Sequence, residues 1–276
     1  MGKEDEEIVI DCDNEKIRER AYKIAKVILN HIGEKGVYLK ILSYFPQHSG
    51  LGSGTQLALS IGTLISKIYG YSLDPYEIAK ITGRGGTSGI GIGAFKYGGF
   101  LIDGGHDFKE KGGFKPSSAS KGVKPAPIIF RYDFPWDLVL IIPEGKNVYG
   151  KKEVDIFKKY CPVPLEEVRE LCHLILMKLM PSILEKNLDD FGEVINRIQY
   201  LGFKKVELNL QSEVVKDLIS NLQQIAYSGL SSFGPTIYAL GNKKEIVSLA
   251  KEILDKYDCK GEIVETRANN VGYKLW

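Results

Sequence analysis

The 276-residue chain has few cysteines, and no two of them stand at a metal-binding spacing. The four cysteines are Cys12, Cys161, Cys172 and Cys259, so no C-x-x-C motif occurs. A structural zinc site usually needs closely spaced ligand pairs, and a disulfide framework needs many cysteines in a short chain. The sequence therefore predicts a protein that folds without such cross-links, as is typical of a reducing cytosol.

Long apolar segments and a strong excess of one charge are also absent. No apolar run is long enough to span a bilayer, and Met1–Glu7 is acidic, unlike a secretory signal. Lysine and arginine total 37 against 35 acidic residues, which gives a formal net charge of +2. Such a balance produces no strong field toward nucleic acid or anionic lipid. We predict a cytoplasmic protein whose partners are small molecules, not nucleic acid or membrane.

Hydrophobic periodicity predicts helices and strands that alternate irregularly. Predicted helices cover 14–31, the stretch from residue 54 to Gly70, a stretch that begins at Asp74, and 164–180, 182–200, 212–225 and 243–257. Predicted strands include 37–42, 138–142, 236–240 and 261–266. Because these elements do not form uniform βαβ units, the pattern favours an α+β fold over a doubly wound one. A change of composition near residue 150 predicts an N-terminal domain over 1–150 and a C-terminal domain over 151–276.

A glycine-rich loop lies between a predicted strand and a predicted helix, and it reads Pro46-Gln47-His48-Ser49-Gly50-Leu51-Gly52-Ser53-Gly54-Thr55. A helix N-terminus has unpaired N–H groups and a partial positive charge, and glycines let backbone approach an anion without a clashing Cβ. The pattern therefore predicts a phosphate-binding loop, although it lacks the lysine of a Walker-type loop. The alternative is a glycine turn that only connects strand and helix. The predicted phosphate-binding residues in this loop are Gly50, Gly52, Ser53, Gly54 and Thr55.

This loop resembles the signature P-x-x-x-G-L-G-S-S-A of the GHMP kinase superfamily, which includes galactokinase, homoserine kinase and mevalonate kinase. Gly54-Thr55 stands where that signature has Ser-Ala. A later stretch, Ser228-Gly229-Leu230-Ser231-Ser232-Phe233-Gly234-Pro235-Thr236, resembles the third motif of the superfamily. The resemblance implies an α+β, GHMP-kinase-like fold of two domains, with a ligand cleft between Gly50–Thr55 and Gly229–Gly234. It also implies phosphate-binding roles for Ser231 and Gly234.

The middle motif departs from the kinase pattern. Many GHMP kinases carry S-G-x-D-x-A-x-x-x-x-G-G, in which the aspartate interacts with the substrate hydroxyl. The corresponding stretch is Ser88-Gly89-Ile90-Gly91-Ile92-Gly93-Ala94-Phe95-Lys96-Tyr97-Gly98-Gly99, so Gly91 occupies the aspartate position. Glycine has no group to accept a proton or orient a hydroxyl. We therefore expect the scaffold without the kinase base.

Several longer segments of the sequence are similar to segments of the β-ribofuranosylaminobenzene 5'-phosphate synthases. They are His48 to Gln56, Thr82 to Gly91 (Thr-Gly-Arg-Gly-Gly-Thr-Ser-Gly-Ile-Gly), Asp103 to His106 and Pro116 to Ser118. The resemblance covers the chain from about residue 36 to its end. It implies condensation of 4-aminobenzoate with phosphoribosyl pyrophosphate, with loss of pyrophosphate and carbon dioxide, as the first committed step of methanopterin synthesis. It makes Gly85, Gly86 and Ser88 candidate substrate-binding residues.

Departure of pyrophosphate requires neutralisation of its charge, which helix amides, Arg84 and Mg²⁺ would provide. Lys121, Lys124 and Arg131 are further candidate anion-binding residues, and the alternative is an ordinary solvated basic loop.

Three other side chains beside glycine-rich elements are candidate catalytic residues. They are His48, His106 and Asp103, and Asp103 is also the candidate ligand of Mg²⁺. The alternative for each histidine is a surface or hydrogen-bonded loop residue.

The start of the chain departs from the family pattern. Family members begin with additional strands that include a P-x-R-x-H-x-G-like segment, whereas this sequence begins with Met1-Gly2-Lys3-Glu4-Asp5-Glu6-Glu7. This comparison predicts a shortened N-terminal domain without some strands of the sheet and one wall of the site.

Two rival functions remain open at this point. One is an ATP-dependent small-molecule kinase of the GHMP type, which predicts ADP release and a replacement base. The other is an inactive phosphate-binding homologue, which predicts binding without turnover. The sequence also leaves open whether the acid is 4-aminobenzoate or 4-hydroxybenzoate. Family members and their relatives are often dimers, so the resemblance implies a homodimer.

Overall fold

The computed structural model describes residues 1–115, 120, 122–145 and 151–276, with side chains except at Lys151 and Lys152. Its α-helices are α1 (Glu15–Ile32), α2 (Ser53–Ile68), α3 (Pro75–Ile81), α4 (Ile90–Tyr97), α5 (Phe108–Lys111), α6 (Lys151–Tyr160), α7 (Leu165–Leu174), α8 (Met180–Glu185), α9 (Leu188–Ile198), α10 (Gly202–Asn209), α11 (Glu213–Ile225) and α12 (Lys243–Lys256). Its strands are β1 (Gly2–Asp5), β2 (Ile8–Asp11), β3 (Gly36–Lys40), β4 (Phe100–Asp103), β5 (Ile128–Tyr132), β6 (Asp137–Pro143), β7 (Tyr227–Leu230), β8 (Ile237–Leu240) and β9 (Gly261–Arg267). Helices and strands mix without a regular βαβ repeat, so the predicted α+β class is confirmed.

The structure divides into two compact units. Unit 1 contains Met1–Gln47, Gly52–Arg131 and Asn270–Trp276, and unit 2 contains His48–Leu51 and Tyr132–Asn269. The predicted domain boundary near residue 150 stays a prediction. The two units are groups of residues that pack closely in space, and both chain termini fall in unit 1. The predicted domains are continuous stretches of sequence, so the two divisions do not test each other.

Unit 1 is built around a three-stranded sheet in the order β1-β3-β2. Strand β3 pairs antiparallel with β1 and parallel with β2. The apolar stripe that predicted α1 is buried, and Ile28, Leu59, Ile65 and Ile78 from three helices are fully covered. Burial of each such side chain contributes about 1.5–3 kcal/mol, so α1, α2 and α3 form a firm support for the loops at their ends.

Local signals set the ends of the helices of unit 1. Asn14 caps α1, because its side chain accepts a hydrogen bond from Ile17 N at 3.2 Å. Helix α3 begins at the predicted position, with a capping box formed by Asp74 and Glu77 and with Pro75 in the first turn. Asp74 Oδ1 accepts a hydrogen bond from Tyr76 N, and Glu77 Oε2 accepts one from Asp74 N. These N-caps fix where α1 and α3 begin.

Unit 2 contains a four-stranded antiparallel sheet in the order β7-β8-β6-β9. Helices α11 and α12 pack with this sheet, and the buried cluster includes Val139, Ile141, Leu218 and Ile237. The turn between β7 and β8 carries the second glycine motif, so its backbone is held by two paired strands.

The predicted end of a helix at Pro181 is wrong. Helix α7 passes into a π-helical segment, Ile175–Leu179, and α8 then begins at Met180 with the proline in its first turn. Leu179 and Met180 have helical backbone angles, so the chain stays helical across the proline. The wider π turn before it allows the chain to continue.

Among the residues that the structure describes, no helix is both long enough and apolar enough to cross a bilayer.

Candidate functional site

The N-terminus of α2 is open and carries no capping side chain. Its N-cap is Gly52, which has φ +65°, and no acidic residue lies in the first turn. A Cβ built on Gly52 would have no atom within 4 Å, so the space beside this backbone is free. Thr55 N and Gln56 N donate to Gly52 O at 2.9 and 3.1 Å. The partial positive charge of the helix therefore faces a space in which an anion fits.

Two arginines from other parts of unit 1 converge on the first turn of α2. A Cβ on Gly54 would lie 2.2 Å from Nη2 of Arg20, on α1, and 3.3 Å from Nη1 of Arg84, after α3. Only glycine lets both guanidinium groups come this close. The sequence predicted Gly54 as a backbone approach to phosphate, and the structure shows that its missing side chain makes room for cations.

Burial makes these two charges costly. It lowers the pKa of Arg20, and it lowers the pKa of Arg84, which the positive charge of Arg20 lowers further. Nε of Arg84 is buried and has no hydrogen-bond partner within the described structure. Two close guanidinium groups repel each other, so a bound anion with several oxygens would stabilise both. The sequence predicted Arg84 but missed Arg20.

The first half of the predicted phosphate loop belongs to unit 2 and packs against the second glycine motif. Gly50 has φ +86°, and a Cβ there would lie 2.2 Å from Ser231 O. Ser231 Oγ donates to Gly50 O at 3.0 Å, and Thr236 N donates to Ser49 O at 3.2 Å. The structure thus brings Gly50 and Ser231 together, as the order of the motifs predicts. The cleft between two domains and the phosphate contacts of these residues stay predictions.

The turn between β7 and β8 has its own supports in unit 2. Gly234 has φ +66°, and a Cβ there would lie 2.7 Å from Gln211 Oε1. Lys204 Nζ, on α10, donates to Leu230 O at 3.3 Å and to Ser232 O at 3.1 Å. Lys204 was not among the predicted site residues, because no sequence pattern predicted α10. The positive φ of Gly234 and its close contact with Gln211 explain why residue 234 is a glycine. Its predicted contact with phosphate stays untested.

Asp103 holds the glycine-rich segment before α4. Its Oδ2 accepts from Ser88 Oγ at 2.8 Å and from Gly89 N at 2.9 Å, and its Oδ1 accepts from Gly105 N at 3.2 Å. The structure therefore places Ser88 and Asp103 together. These bonds fix the start of α4, and catalysis or metal binding by Asp103 stays a prediction. Within the described parts of the chain, no three His, Cys, Asp or Glu side chains form a metal-binding cluster.

Gly85 and Gly86 are buried, and they pack against Pro125 and Ser120. A Cβ on Gly85, which has φ +82°, would lie 2.6 Å from Ile92 and 2.9 Å from Pro125. A Cβ on Gly86 would lie 2.5 Å from Ser120 O. Close packing accounts for both glycines, and their predicted contact with substrate stays untested.

The remaining predicted residues lie in different surroundings. His48 is exposed with φ +57°, whereas His106 is half-buried and its Nε2 has no partner among the described groups. Lys124 is exposed, and its backbone N donates to Glu110 Oε1 at 3.0 Å. Arg131 donates to the carbonyls of Tyr97 and Asn270, so it holds the C-terminal segment within unit 1. Lys121, like Pro116–Ser118 of the family string, lies outside the described residues.

The kinase aspartate position lies against the first turn of α2. A Cβ on Gly91 would be 3.3 Å from Thr55 Cγ2, and Gln56 Nε2 donates to Gly91 O at 2.8 Å. Helix α4 therefore contacts α2 through bare backbone. Where many GHMP kinases carry a carboxylate, the backbone of α4 packs directly against α2.

A cavity of about 480 Å³ extends from this first turn along α2, within unit 1. Arg20, Ser53 and Gln56 line one part of it, and the apolar side chains of Leu57, Ile61 and Leu64 line another.

Comparisons with known proteins agree with this arrangement. Residues 19–99 match the GHMP kinases N terminal domain, and residues 179–259 match the GHMP kinases C terminal domain. A homoserine kinase from Cytophaga hutchinsonii has a similar structure, with a TM-score of 0.68 at 16% identity, over 96% of this chain and 82% of that chain. The predicted GHMP-kinase-like fold is confirmed.

Two relatives are much more similar in sequence, and both are named β-ribofuranosylphenol 5'-phosphate synthase. The protein from Methanocaldococcus jannaschii is 65% identical over 100% of this chain and 88% of its own length. The protein from Archaeoglobus fulgidus is 44% identical over 99% of this chain and 87% of its own length.

Proposed function

This chain belongs to the β-ribofuranosylphenol 5'-phosphate synthase family, whose members are pentosyltransferases with the GHMP kinase fold. We propose that it joins an aromatic acid to phosphoribosyl pyrophosphate. The bond between C1' and the pyrophosphate oxygen breaks, and its electron pair leaves with pyrophosphate. The ring carbon that bears the carboxylate forms a bond to C1'. The bond from that carbon to the carboxylate then breaks, its electrons return to the ring, and carbon dioxide leaves.

The observation that carries this proposal is the arginine pair at Gly54. Pyrophosphate gains negative charge as it leaves, so donors that are already in place lower the barrier. Arg20, Arg84 and the amides of the first turn of α2 are fixed before the ligand arrives. A bound pyrophosphate would also remove the repulsion between the two guanidinium groups.

The same geometry disfavours the rival kinase. A GHMP kinase positions the acceptor hydroxyl in line with the transferred phosphoryl group. Gly91 offers only a backbone carbonyl at the place of the aspartate, and Gln56 already donates to that carbonyl. An aromatic carbon nucleophile needs no such base, because carbon dioxide leaves in place of a proton.

We propose Mg²⁺ as a companion of the pyrophosphate. Mg²⁺ is commonly held by one or two carboxylates together with substrate phosphates and water. Asp103 Oδ1 accepts one hydrogen bond, from Gly105 N, and so retains capacity for a single metal contact. The ion would neutralise part of the charge on the leaving group, and the cation pair and helix amides supply the rest.

We propose 4-hydroxybenzoate as the acid, in preference to 4-aminobenzoate. Loss of carbon dioxide from the hydroxy acid leaves a phenol ring, which agrees with the name of both relatives, β-ribofuranosylphenol 5'-phosphate synthase. The proposal extends to a role in methanopterin biosynthesis, which the family resemblance implies, and to a homodimer, which light scattering would test.

Mass spectrometry after incubation with phosphoribosyl pyrophosphate, Mg²⁺ and each acid tests the function. We expect a ribosylated, decarboxylated phenol phosphate from 4-hydroxybenzoate and less product, or none, from 4-aminobenzoate. Phosphorylation of an alcohol at the expense of ATP, with no ribosylated ring from either acid, would replace this proposal with the kinase. Ligand binding without any product would favour the inactive homologue.

A further inference from the structure

The cavity beside α2 has one cationic part and one apolar part. Leu57, Ser60 and Leu64 line it from the same face of α2, because they are three and four residues apart. From Ser53 to Leu64 this face extends about 16 Å. A volume of about 480 Å³ lies in the range usual for small-molecule sites.

Arg20 is the side chain that gives the cavity its charge. Lys40 also lines it, but Lys40 forms an ion pair with Asp11 at 3.1 Å. Arg20 has no acidic partner among the described residues, and burial lowers its pKa. Its guanidinium group lies beside Gly54, so it stands between the cavity and the open N-terminus of α2.

The rim of the cavity is apolar and exposed. Leu42 is 70% exposed, Tyr44 40% and Phe45 54%, and all three line the cavity. Apolar side chains that lie together at the mouth of a cavity form the kind of contiguous patch that marks a binding surface. Aromatic rings of this kind also stack on a flat ligand ring.

We propose that this cavity is the binding site of the aromatic acid, with the carboxylate on Arg20 and the ring along Leu57 toward Ser60. The inference rests on the proposed function, because the site lies next to the anion position at Gly54. The carboxylate-bearing carbon must reach C1' of the ribose, so the carboxylate belongs at the end nearest the leaving pyrophosphate. The ring then lies in the apolar part of the cavity.

A wall substitution tests the cavity without altering the cations. Ser60 is exposed on α2, so Ser60→Phe would place a ring inside the cavity at little cost to the core. We expect affinity for 4-hydroxybenzoate, measured by saturation-transfer NMR without the second substrate, to fall on the order of tenfold or more. Affinity for phosphoribosyl pyrophosphate should stay within twofold. Ser220→Phe, an equivalent change on the exposed face of α11, is the matched control and should change neither affinity.

A ligand change tests the role of Arg20. A charge-assisted hydrogen bond contributes about 1.5–3 kcal/mol, so 4-hydroxybenzoate should bind the unaltered protein about tenfold or more better than neutral 4-hydroxybenzamide. In Arg20→Gln this preference should disappear, because affinity for the acid falls and affinity for the amide does not.

The outcomes separate this inference from the proposed function. Product formation with equal acid affinity in Ser60→Phe and the unaltered protein would overturn the cavity assignment and leave the transferase intact. Acid binding that is lost in Ser60→Phe, with no product under any condition, would support the cavity and overturn the transferase. If the protein binds adenosine but not the acid, and Ser60→Phe blocks that binding, the cavity is a nucleoside site. That result would also overturn the assignment of the cavity to the aromatic acid. Thermal unfolding confirms that each variant is folded.

Discussion

At the scale of single residues, the site depends on a glycine that admits two cations. Gly54 differs from the serine of the kinase signature, and a side chain there would overlap with Arg20. Kinases of this fold share the helix N-terminus, so the amides of α2 do not by themselves distinguish a transferase. The arginine pair adds two fixed positive charges at the place where the proposed reaction would release pyrophosphate.

Arg84 should contribute mainly to the rate of the chemical step. Removal of its charge in Arg84→Ala is expected to lower kcat about a hundredfold, by comparison with the loss of a single oxyanion donor. Arg84→Lys should recover only part of the rate, because an ammonium group lacks the planar fork of the guanidinium. Arg18→Ala, an exposed arginine on α1 paired with Glu15 at 3.9 Å, is the control and should leave kcat unchanged. Steady-state kinetics with an equal loss in Arg18→Ala would refute a specific role for Arg84.

Gly54→Ala should damage the site without damaging the fold. The new Cβ would meet the end of a flexible side chain, so Arg20 can move and the stability should change by less than about 1 kcal/mol. The displaced guanidinium should raise the KM for phosphoribosyl pyrophosphate about tenfold or more. Gly145→Ala, at an exposed glycine with nothing within 4 Å of the new Cβ, is the control for both measurements. Wild-type kinetics in Gly54→Ala would show that the close approach of Arg20 has no function.

The sequence predicted only one arginine of this pair. Arg84 lies inside a family string and was therefore a candidate. Arg20 lies in an amphipathic helix among surface lysines and arginines, where a charged residue normally faces water. The available signal was its position three residues after Ile17 and four before Ile24, both buried, which puts it at the edge of the apolar stripe. Its partner on α2 is distant in sequence, so no local pattern connects them.

Among the elements, the N-terminus of α2 is the one on which the proposed binding of phosphoribosyl pyrophosphate depends. The helix is long, its apolar face is buried, and its N-cap glycine has a left-handed backbone. A helix anchored in this way presents its first amides in a fixed direction, which limits the reorganisation needed when an anion binds.

Gly52→Val should abolish binding of phosphoribosyl pyrophosphate while the protein stays folded. A β-branched residue at φ +65° costs about 1–2 kcal/mol, and its methyl groups would occupy the free space in front of the amides. Gly70→Val is a close control, because Gly70 has φ +72°, also has open space and lies just beyond the other end of α2. It should show a similar loss of stability with unchanged affinity by calorimetry. Equal affinity in both variants would make the loop a connector only.

Other elements show where sequence reasoning reaches its limit. Helix α4 was not predicted, because glycines at 91 and 93 have low helix propensity. Its formation depends on tertiary contacts, since Gly91 allows close packing on Thr55, and Gly93 lies against Ile128 and Leu101. Strand β1 was missed because its residues are polar and mostly exposed, and pairing with β3 determines it.

At the scale of the whole molecule, the fold could be predicted and the chemistry only in part. Two glycine motifs in the right order indicated the GHMP fold, and the matches to both domain families confirm it. The missing carboxylate at Gly91 was also visible in the sequence. The cavity along α2 was not, because its walls come from α1, α2 and the segment after β3. The shape of such a cavity depends on how elements distant in sequence pack together, and no local sequence pattern predicts that.

Release of carbon dioxide is the most direct test of the proposed condensation. With 4-hydroxybenzoate labelled at the carboxyl carbon, the protein should release one labelled carbon dioxide for each pyrophosphate formed, and none without phosphoribosyl pyrophosphate. In parallel assays with ATP and homoserine, mevalonate or galactose, no ADP should form, because Gly91 cannot orient the hydroxyl. Rapid ADP formation with any of these alcohols, together with no labelled carbon dioxide from the acid, would contradict the account and identify a kinase.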